Sequence, residues 1–261
     1  MREGQEFQLS ERLKMIASHV SPGDTAADIG TDHGYIPIWL LSSGITDRVI
    51  LTDINEGPLR KARNNFQKWL PETVPDLRQG PGLSVLNPGE AEVLMIAGMG
   101  GILISRILEA DPEIVSTALR LVLQPRNHAY TLRKYLRGLR EFVVSDEQIA
   151  VEAGRFCEII TLTRRDLAPR PVLRMEETIE SMEKEMNLGN RIYDEVPVIY
   201  ALTGKYPDYL DYKCEAERQV IRNIVENGRT DYAEKRRRRA ESRLAAFQII
   251  RERQSKNEEK R

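Results

Sequence analysis

Short apolar runs alternate with amphipathic stretches along roughly the first 165 residues of the chain. Apolar runs of this kind are typical of strands buried in a parallel sheet, and the amphipathic stretches are typical of helices that cover it. The predicted strands are Ala26–Ile29, Val49–Ile54, Asp76–Arg78, Val93–Ala97, Leu119–Leu123, Phe142–Ser145 and Cys157–Thr163. Helices are predicted from Leu9, over Ile36–Ser43, from Pro58, over Ile102–Glu109 and over Tyr130–Leu139. This alternation predicts an α/β fold, and the last two strands, with no helical pattern between them, predict an antiparallel strand at one end.

The pattern changes after Pro169 and Pro171, where strand-like runs disappear. Met175, Ile179, Met182 and Met186 recur at spacings typical of a coiled-coil seam, and long helical stretches follow over Tyr206–Asn227 and Asp231–Arg253. We therefore divide the chain into an α/β domain at residues 1–165 and a small helical domain at residues 166–261, built on an antiparallel helix pair.

Composition narrows the class of protein. The formal net charge is −1 and the pI is near 6.4, so a nucleic-acid partner requires a local basic patch. Cys157 and Cys214 lack metal-ligand spacing, which disfavours a zinc site or a disulfide framework. The charged start is unlike a signal peptide, and the longest apolar run is shorter than the roughly 20 residues of a membrane span. We expect a soluble, cytoplasmic protein without a metal ion, a membrane or an obligate protein partner.

The candidate chemistry begins at the glycine-containing turn after the first strand, Asp28-Ile29-Gly30-Thr31-Asp32-His33-Gly34. Gly30 permits a sharp turn, and Gly34 lets the next helix start close to the sheet. Asp53 ends the second strand. A glycine turn after one strand and an acid after the next is how doubly wound folds bind a nucleoside.

Asp32 indicates which nucleoside is bound. It stands where a dinucleotide site has its second glycine, and its carboxylate would repel a pyrophosphate. S-adenosylmethionine has a ribose for Asp53, a cationic sulfonium and no phosphate, so the acidic turn favours this cofactor over NAD. Asp32 is also a good cap for the following helix, which is compatible with either role.

A basic run dominates the last predicted helix. Its members are Lys235, Arg236, Arg237, Arg238, Arg239 and, one turn on, Arg243. Such a run is either an ordinary solvated helix face or a patch that binds phosphates, and the neutral-to-acidic remainder of the chain makes it the candidate RNA-binding surface.

The motifs together resemble those of the bacterial tRNA (adenine-22-N1)-methyltransferase family. They are Leu9-Ser10-x-Arg12-Leu13, Asp28-Ile29-Gly30-Thr31-Asp32-His33-Gly34-Tyr35, Asp53-Ile54-Asn55-Glu56-Gly57-Pro58-Leu59, Ile96-Ala97-Gly98-Met99-Gly100-Gly101, Leu123-Gln124-Pro125, Leu132-Arg133-x-Tyr135-Leu136 and Glu152-Ala153-Gly154-Arg155-Phe156. The resemblance covers nearly all of the first 165 residues. It implies a Rossmann-like class I methyltransferase domain, a coiled-coil-like tail that contacts tRNA, S-adenosylmethionine as cofactor, and methylation of adenine N1.

The resemblance also suggests roles for particular side chains. Adenine N1 attacks through an in-plane lone pair, so no strong base is needed. Asp32 is the candidate to stabilise the charged product base or take its N6 proton, His33 is the alternative, and Met99 is placed to pack against the base. The predicted cofactor-binding residues are Asp28, Gly30, Thr31, Asp32, His33, Gly34, Asp53, Ile54, Gly80, Ala97, Gly98, Met99 and Gly100.

One position departs from the family pattern, because Gly80-Pro81-Gly82-Leu83 replaces a G-D-G-L turn. Pro81 supplies neither a carboxylate nor an N–H to the cofactor's adenine, so we expect weakened but not abolished cofactor binding. Two other functions remain open at this stage. A small-molecule methyltransferase would leave the basic run without a role, and an RNA-binding scaffold that has lost catalysis is suggested by Pro81.

Overall fold

The computed structural model describes residues 7–174, 177–178, 181, 207–227 and 230–258 of the chain. The chain separates into two compact units, Met1–Leu173 and Arg174–Arg261. The sequence pattern placed a boundary between residues 165 and 166. In the described part of the chain, no helix is long and apolar enough to cross a membrane.

The first unit is a seven-stranded sheet covered by helices. Its strands are β1 Ala26–Ile29, β2 Val49–Asp53, β3 Asp76–Gln79, β4 Val93–Gly100, β5 Arg120–Asn127, β6 Phe142–Glu152 and β7 Arg155–Arg164. Its helices are α1 Glu11–Ala17, α2 Tyr35–Ser42, α3 Glu56–Trp69, α4 Gly101–Ala110, α5 Pro112–Thr117 and α6 Ala129–Leu136. The strand order is β3-β2-β1-β4-β5-β7-β6, with β7 antiparallel to both neighbours. The predicted α/β fold and the antiparallel strand are confirmed.

Alternate residues of the central strands supply two cores, one on each face of the sheet. Leu94 and Ile96 of β4 pack in the core that contains residues of α4, α5 and α6. Val93 and Met95 pack in the core that contains residues of α1 and α2. All four side chains are fully buried. This two-sided burial explains why β4 is apolar throughout, as the sequence pattern indicated.

The two largest differences from the prediction concern α5 and β6. The short helix α5 was not predicted, and β6 runs to Glu152 instead of ending at Ser145. The extra length of β6 pairs with β7 in a long hairpin, whose turn at Ala153 and Gly154 has φ angles of 49° and 72°. The extension was missed because β6 contains polar residues where a buried strand usually has apolar ones. One of them, Glu147, is buried despite its charge.

The buried charge of Glu147 belongs to an ion cluster beneath α6. Arg133 of α6 donates hydrogen bonds to Glu147 of β6 and to Glu158 of β7, the latter at 2.9 Å from Nη2 to Oε2. The Arg133 side chain is fully buried. The cluster therefore fixes α6 to the hairpin in the interior of the first unit.

The described part of the second unit is an antiparallel helix pair, α7 Pro207–Asn227 and α8 Asp231–Glu258. Two ion pairs join the helices: Arg243 to Glu217 at 2.7 Å, and Arg251 to Asp211 at 2.8 Å. The buried residues of the pair are Tyr209, Leu210, Cys214, Ile224, Ala240, Ala246, Phe247 and Ile250. The predicted seam of Met175, Ile179, Met182 and Met186 lies outside the described residues.

Candidate active site

The turn after β1 is built as its glycines predicted. Gly30 has a φ of 75°, and the backbone N–H groups of Gly30 and Thr31 donate to the carbonyl oxygen of Thr52 at 2.8 and 2.9 Å. Gly34 has a φ of 67° and caps α2. A Cβ on Gly34 would lie 3.1 Å from both Ala62 Cβ and Leu51 Cδ2. The start of α2 therefore approaches the sheet more closely than a side chain would permit.

A cleft opens at the carboxyl ends of β1 and β4, where the strand order reverses. Ligands of doubly wound folds bind at this switch point. The cleft has a cavity volume of about 380 Å³, within the usual range for small-molecule sites. The lining residues are Ser10, Arg12, Leu13, Asp28, Gly30, Thr31, Asp32, His33, Gly34, Tyr35, Ile36, Ala97, Gly98, Met99, Arg126 and Glu152.

Most of the predicted cofactor-binding residues line this one cleft, and the others lie at neighbouring strand ends. Asp53 ends β2, and its Oδ1 accepts a hydrogen bond from the backbone N–H of Asn55 at 2.7 Å. The Gly80 N–H donates to the Asp53 carbonyl at 3.0 Å, so the turn after β3 is tied to the end of β2. Ile54 is largely exposed beside them. Gly100 is the N-cap residue of α4.

Asp28 is the buried carboxylate of the cleft. Burial is the main cause that raises its pKa to about 6, the neighbouring Thr31 hydroxyl lowers the pKa in part, and the charge of Asp53 raises it. A buried carboxylate is costly unless it is protonated or faces a positive charge. The floor of the cleft is therefore suited to a cationic ligand.

Asp32 and His33 form part of the rim of the cleft, and both oxygens of Asp32 have partners. Lys61 Nζ donates to Oδ1 at 2.8 Å, and His33 Nε2 lies 3.1 Å from Oδ2. The hydrogen bond from Lys61 is the main cause that lowers the pKa of Asp32. The His33 ring also stacks on Tyr35, with centroids 5.1 Å apart. The negative charge that Asp32 brings to the turn is thus offset by Lys61, a partner that the sequence motif did not reveal.

The side chain of Met99 lies against the turn after β1. The sequence predicted that it would lie near the ligands. A Cβ on Gly30 would fall 1.8 Å from the terminal methyl of Met99, so this side chain covers the glycine directly. The preceding residue, Gly98, has a φ of 74°, and its N–H donates to Gln124 Oε1 at 3.2 Å. The end of β4, where its pairing with β5 is irregular, thereby brings both backbone and a thioether to the cleft.

The wall opposite this turn was not predicted as part of the site. It consists of Ser10, Arg12, Arg126 and Glu152, which we call the far wall. Arg12 Nε donates to Glu152 Oε2 at 2.7 Å, and Arg12 Nη1 donates to Gln124 Oε1 at 3.1 Å. The neighbouring Ser10 hydroxyl and the hydrogen bond from Arg12 lower the pKa of Glu152. The available signal was that Ser10, Arg12 and Glu152 stand in the motif segments quoted above, while Arg126 directly follows another of them.

Comparison with known proteins identifies the class of this site. A family model described as "Methyltransferase domain" matches residues 9–160, a range that contains every residue lining the cleft. The chain belongs to this methyltransferase family. In the described part of this methyltransferase, no three His, Cys, Asp or Glu side chains cluster as metal ligands do.

The names of individual relatives are more specific than the description of the family model. The methyltransferase is 37% identical over 161 residues to the tRNA (adenine(22)-N(1))-methyltransferase of Bacillus subtilis (strain 168), a match that covers 62% of this chain and 67% of that relative. The crystal structure of the B. subtilis M1A22 tRNA methyltransferase TrmK matches with a TM-score of 0.73 at 25% identity, over 94% of this chain and 100% of that one. Streptococcus pneumoniae Sp1610, crystallised with S-adenosyl-L-methionine, matches with a TM-score of 0.74 at 25% identity and the same coverage.

Proposed function

We propose that this methyltransferase transfers a methyl group from S-adenosylmethionine to N1 of an adenine in tRNA, at position 22. The observation that carries the proposal is the acid-bearing glycine turn at the cleft between β1 and β4. It occurs in a chain 37% identical to a tRNA (adenine(22)-N(1))-methyltransferase. The cofactor proposal is supported further by the structural match to a protein crystallised with S-adenosyl-L-methionine.

The chemistry of the cleft fits this cofactor. S-adenosylmethionine supplies a methyl group on a cationic sulfur. Asp28 presents a buried carboxylate toward the cleft, where it would meet the sulfonium or the amino group. Asp53, at the end of β2, is in the position from which doubly wound folds bind ribose hydroxyls. Thr31, Ala97 and Gly98 line the space between the two strand ends.

The reaction requires little acid–base chemistry from the protein. Adenine N1 has an in-plane lone pair that attacks the methyl carbon directly, and the bond to sulfur breaks as the new bond forms. The protein must align the two reactants and exclude water. N1 lies on the Watson–Crick edge, so the target adenine must be unpaired and turned into the cleft. Met99, which lines the cleft, would pack against it.

The direct test is to incubate the purified protein with labelled S-adenosylmethionine and unmodified tRNA, and then to identify the modified nucleoside. The expected product is 1-methyladenosine at position 22. A tRNA with that adenine replaced by uridine should accept no label. Label in a small molecule but never in tRNA would favour the small-molecule alternative. Cofactor binding without transfer to either acceptor would favour the scaffold.

The raised pKa of Asp28 predicts a pH dependence of cofactor binding. The carboxylate gains its charge as the pH rises through about 6, and the cationic groups of the cofactor bind the charged form. We expect the Kd of S-adenosylmethionine to rise about 10-fold for each pH unit below 6 and to level off above it. Calorimetric titration from pH 5 to 8 measures this, and Asp28→Asn should remove the dependence.

The free energy of unfolding should respond to the same pKa in the opposite sense. Because the folded pKa lies above the unfolded value of about 3.9, the native state binds more protons between these two pH values. The contribution of Asp28 to stability therefore falls as the pH rises from about 4 to 6.

The binding prediction has its own contradicting outcome. Cofactor affinity that stays constant between pH 5 and 8 in the wild type would exclude contact between Asp28 and the cationic groups of the cofactor.

We further propose that the exposed side of α8 binds the tRNA backbone. Lys235, Arg236 and Arg239 are exposed, and none has an ion-pair partner among the described residues. Two other members of the predicted basic run are engaged on the same helix, Arg237 with Glu234 and Glu241, and Arg238 with Glu234. Arg243 is half-buried and tied to Glu217 of α7, which gives it a structural role in the helix pair.

The triple variant Lys235→Gln, Arg236→Gln, Arg239→Gln should therefore bind tRNA less tightly. We expect KM for tRNA to rise about 10-fold and the slope of log K against log salt to fall by about 2 to 3, with kcat and cofactor Kd unchanged. A matched control, Glu234→Gln with Arg237→Gln, removes one positive and one negative charge from the same helix. If both variants show the wild-type KM and salt slope, α8 does not contact tRNA phosphates.

A further inference from the structure

The far wall places a partly exposed ion pair in the cleft, and this pair contributes little to the stability of the fold. The side chains of Arg12 and Glu152 are 20% and 37% exposed. Ion pairs with this exposure add little to stability, because water screens the two charges. Glu152 stands at the hairpin end of β6, five positions beyond Glu147. Glu147 is paired with Ile160 of β7, and Ile160 is paired on its other side with Leu123 of β5. Both residues of the pair nevertheless line the same cleft as Asp28 and Met99.

The arrangement holds Glu152 ionised and in a fixed place. Its pKa is lowered by the neighbouring Ser10 hydroxyl, by the hydrogen bond from Arg12 and by the positive charges of Arg12 and Arg126. Arg12 is itself anchored, because its second nitrogen donates to Gln124 Oε1, which also accepts from the N–H of Gly98. One chain of contacts therefore links Glu152 to the end of β4, which carries Met99. A carboxylate fixed in this way acts as an acceptor and a negative charge, and not as a proton donor.

The target base has a matching edge. In adenine the N6 amino group is adjacent to N1, so a base with N1 directed at the methyl group presents an N–H donor beside the reacting atom. As N1 forms its bond to the methyl carbon, the electron pair of the old bond goes to sulfur, and the positive charge moves from sulfur to the purine. No proton has to leave in this step. A carboxylate beside N6 would bind the base and stabilise the charge that develops on it.

We propose that Glu152 receives the target adenine, accepting a hydrogen bond from its N6 amino group and stabilising the positive charge that the ring acquires. This inference rests on the proposed adenine-N1 methylation and assigns a second group to the same site. Arg12 is a positioning residue that holds Glu152. We assign to Glu152 the role first expected of Asp32, because Lys61 and His33 engage both oxygens of Asp32 on the rim, whereas the hydrogen bond from Arg12 engages Oε2 of Glu152.

The test compares two tRNA transcripts, one with adenosine and one with purine ribonucleoside at the target position. Purine keeps N1 but lacks the amino group. The quantity to measure is the ratio of kcat/KM for the two transcripts, in the wild type and in Glu152→Ala. We expect Glu152→Ala to lower kcat/KM for adenosine about 10- to 100-fold, as loss of a charged hydrogen bond does, and to reduce the ratio between the two transcripts about 10-fold.

Conservative variants separate the contribution of the hydrogen-bond acceptor of Glu152 from that of its negative charge. Glu152→Gln keeps an acceptor without the charge, so it should retain more of the ratio than Glu152→Ala while kcat stays low. Arg12→Lys should likewise retain more of the ratio than Arg12→Ala. Glu113→Gln, an exposed carboxylate on α5, is the control for loss of a negative charge and should match the wild type. The Kd of S-adenosylmethionine should be unchanged in the Glu152 variants, which also shows that they are folded.

Each outcome bears either on the proposed function or on the assignment of Glu152. A wild type that forms no 1-methyladenosine defeats the proposed function itself. A wild type that forms it, together with a Glu152→Ala variant that keeps the full ratio between the transcripts, overturns only the assignment of Glu152. Equal losses on both transcripts, with the ratio unchanged, would also overturn it and would make Glu152 a structural residue of the far wall.

Discussion

Replacing Asp53 with alanine is expected to weaken binding of S-adenosylmethionine about 100-fold or more. A single carboxylate at the end of β2 can accept hydrogen bonds from both ribose hydroxyls, and each charged hydrogen bond contributes about 1.5 to 3 kcal/mol. A loss of 1.4 kcal/mol corresponds to about 10-fold in affinity. Isothermal titration calorimetry measures the change, and kcat at saturating cofactor should fall much less than affinity.

Two further variants refine this expectation. Asp53→Asn keeps an oxygen that can accept from the Asn55 N–H, as Oδ1 of Asp53 does at 2.7 Å, so it should show a smaller loss. Asp47→Ala is the matched control, because this exposed carboxylate precedes β2 at the opposite edge of the sheet. An Asp53→Ala protein with wild-type affinity would mean that the ribose is bound elsewhere.

Replacing Arg133 with methionine is expected to lower the free energy of unfolding of the first unit by about 3 to 5 kcal/mol. The substitution leaves the carboxylates of Glu147 and Glu158 in the interior without their guanidinium partner. Burial without a counter-charge costs several kcal/mol because the carboxylates lose their hydration. Denaturant unfolding followed by tryptophan fluorescence measures this unit alone, since Trp39 and Trp69 both lie in it.

The control for this prediction is Lys134→Met, an exposed position on the same helix, which should change stability by less than about 0.5 kcal/mol. A pH series adds a second check. In Arg133→Met the stranded carboxylates can be neutralised by protonation, so the defect should shrink as the pH falls from 7.5 to 5.5. A defect below 1 kcal/mol at neutral pH would contradict the view that Arg133 neutralises this cluster.

Most of the fold could be predicted from the chain because its signals are local. Buried parallel strands appear as continuous apolar runs, and β1, β2 and β4 were predicted to within three residues at each end. The length of β6 could not be predicted in this way. Its outer half contains the polar residues Asp146, Glu147 and Gln148, and the burial of Glu147 depends on Arg133, which lies on a different element, α6. Helix α5 is short enough for its pattern to be indistinct.

Only one side of the candidate site, formed by the turn after β1 and the end of β4, could be predicted from the sequence. The cofactor turn could be recognised because glycines and acids at fixed spacing have a local geometric meaning. The pairing of Asp32 with Lys61 could not, because α3 brings the lysine to the turn only in the folded chain. The far wall combines side chains from α1 and from the ends of β5 and β6. Within the sequence these residues are ordinary charged positions, and only their convergence gives them chemical significance.

The hydrogen bond between Arg12 and Glu152 joins residues 140 positions apart, which has a consequence for synthesis of the protein. Every residue proposed to bind the cofactor has been translated by Gly100, whereas Glu152 follows some fifty residues later. At about 5 to 20 residues per second, this interval is roughly 3 to 10 s. During that time the nascent chain contains Arg12 but not its carboxylate partner. The donor side of the enzyme is therefore synthesised first, and the acceptor side is completed only when the last hairpin of the sheet has been made.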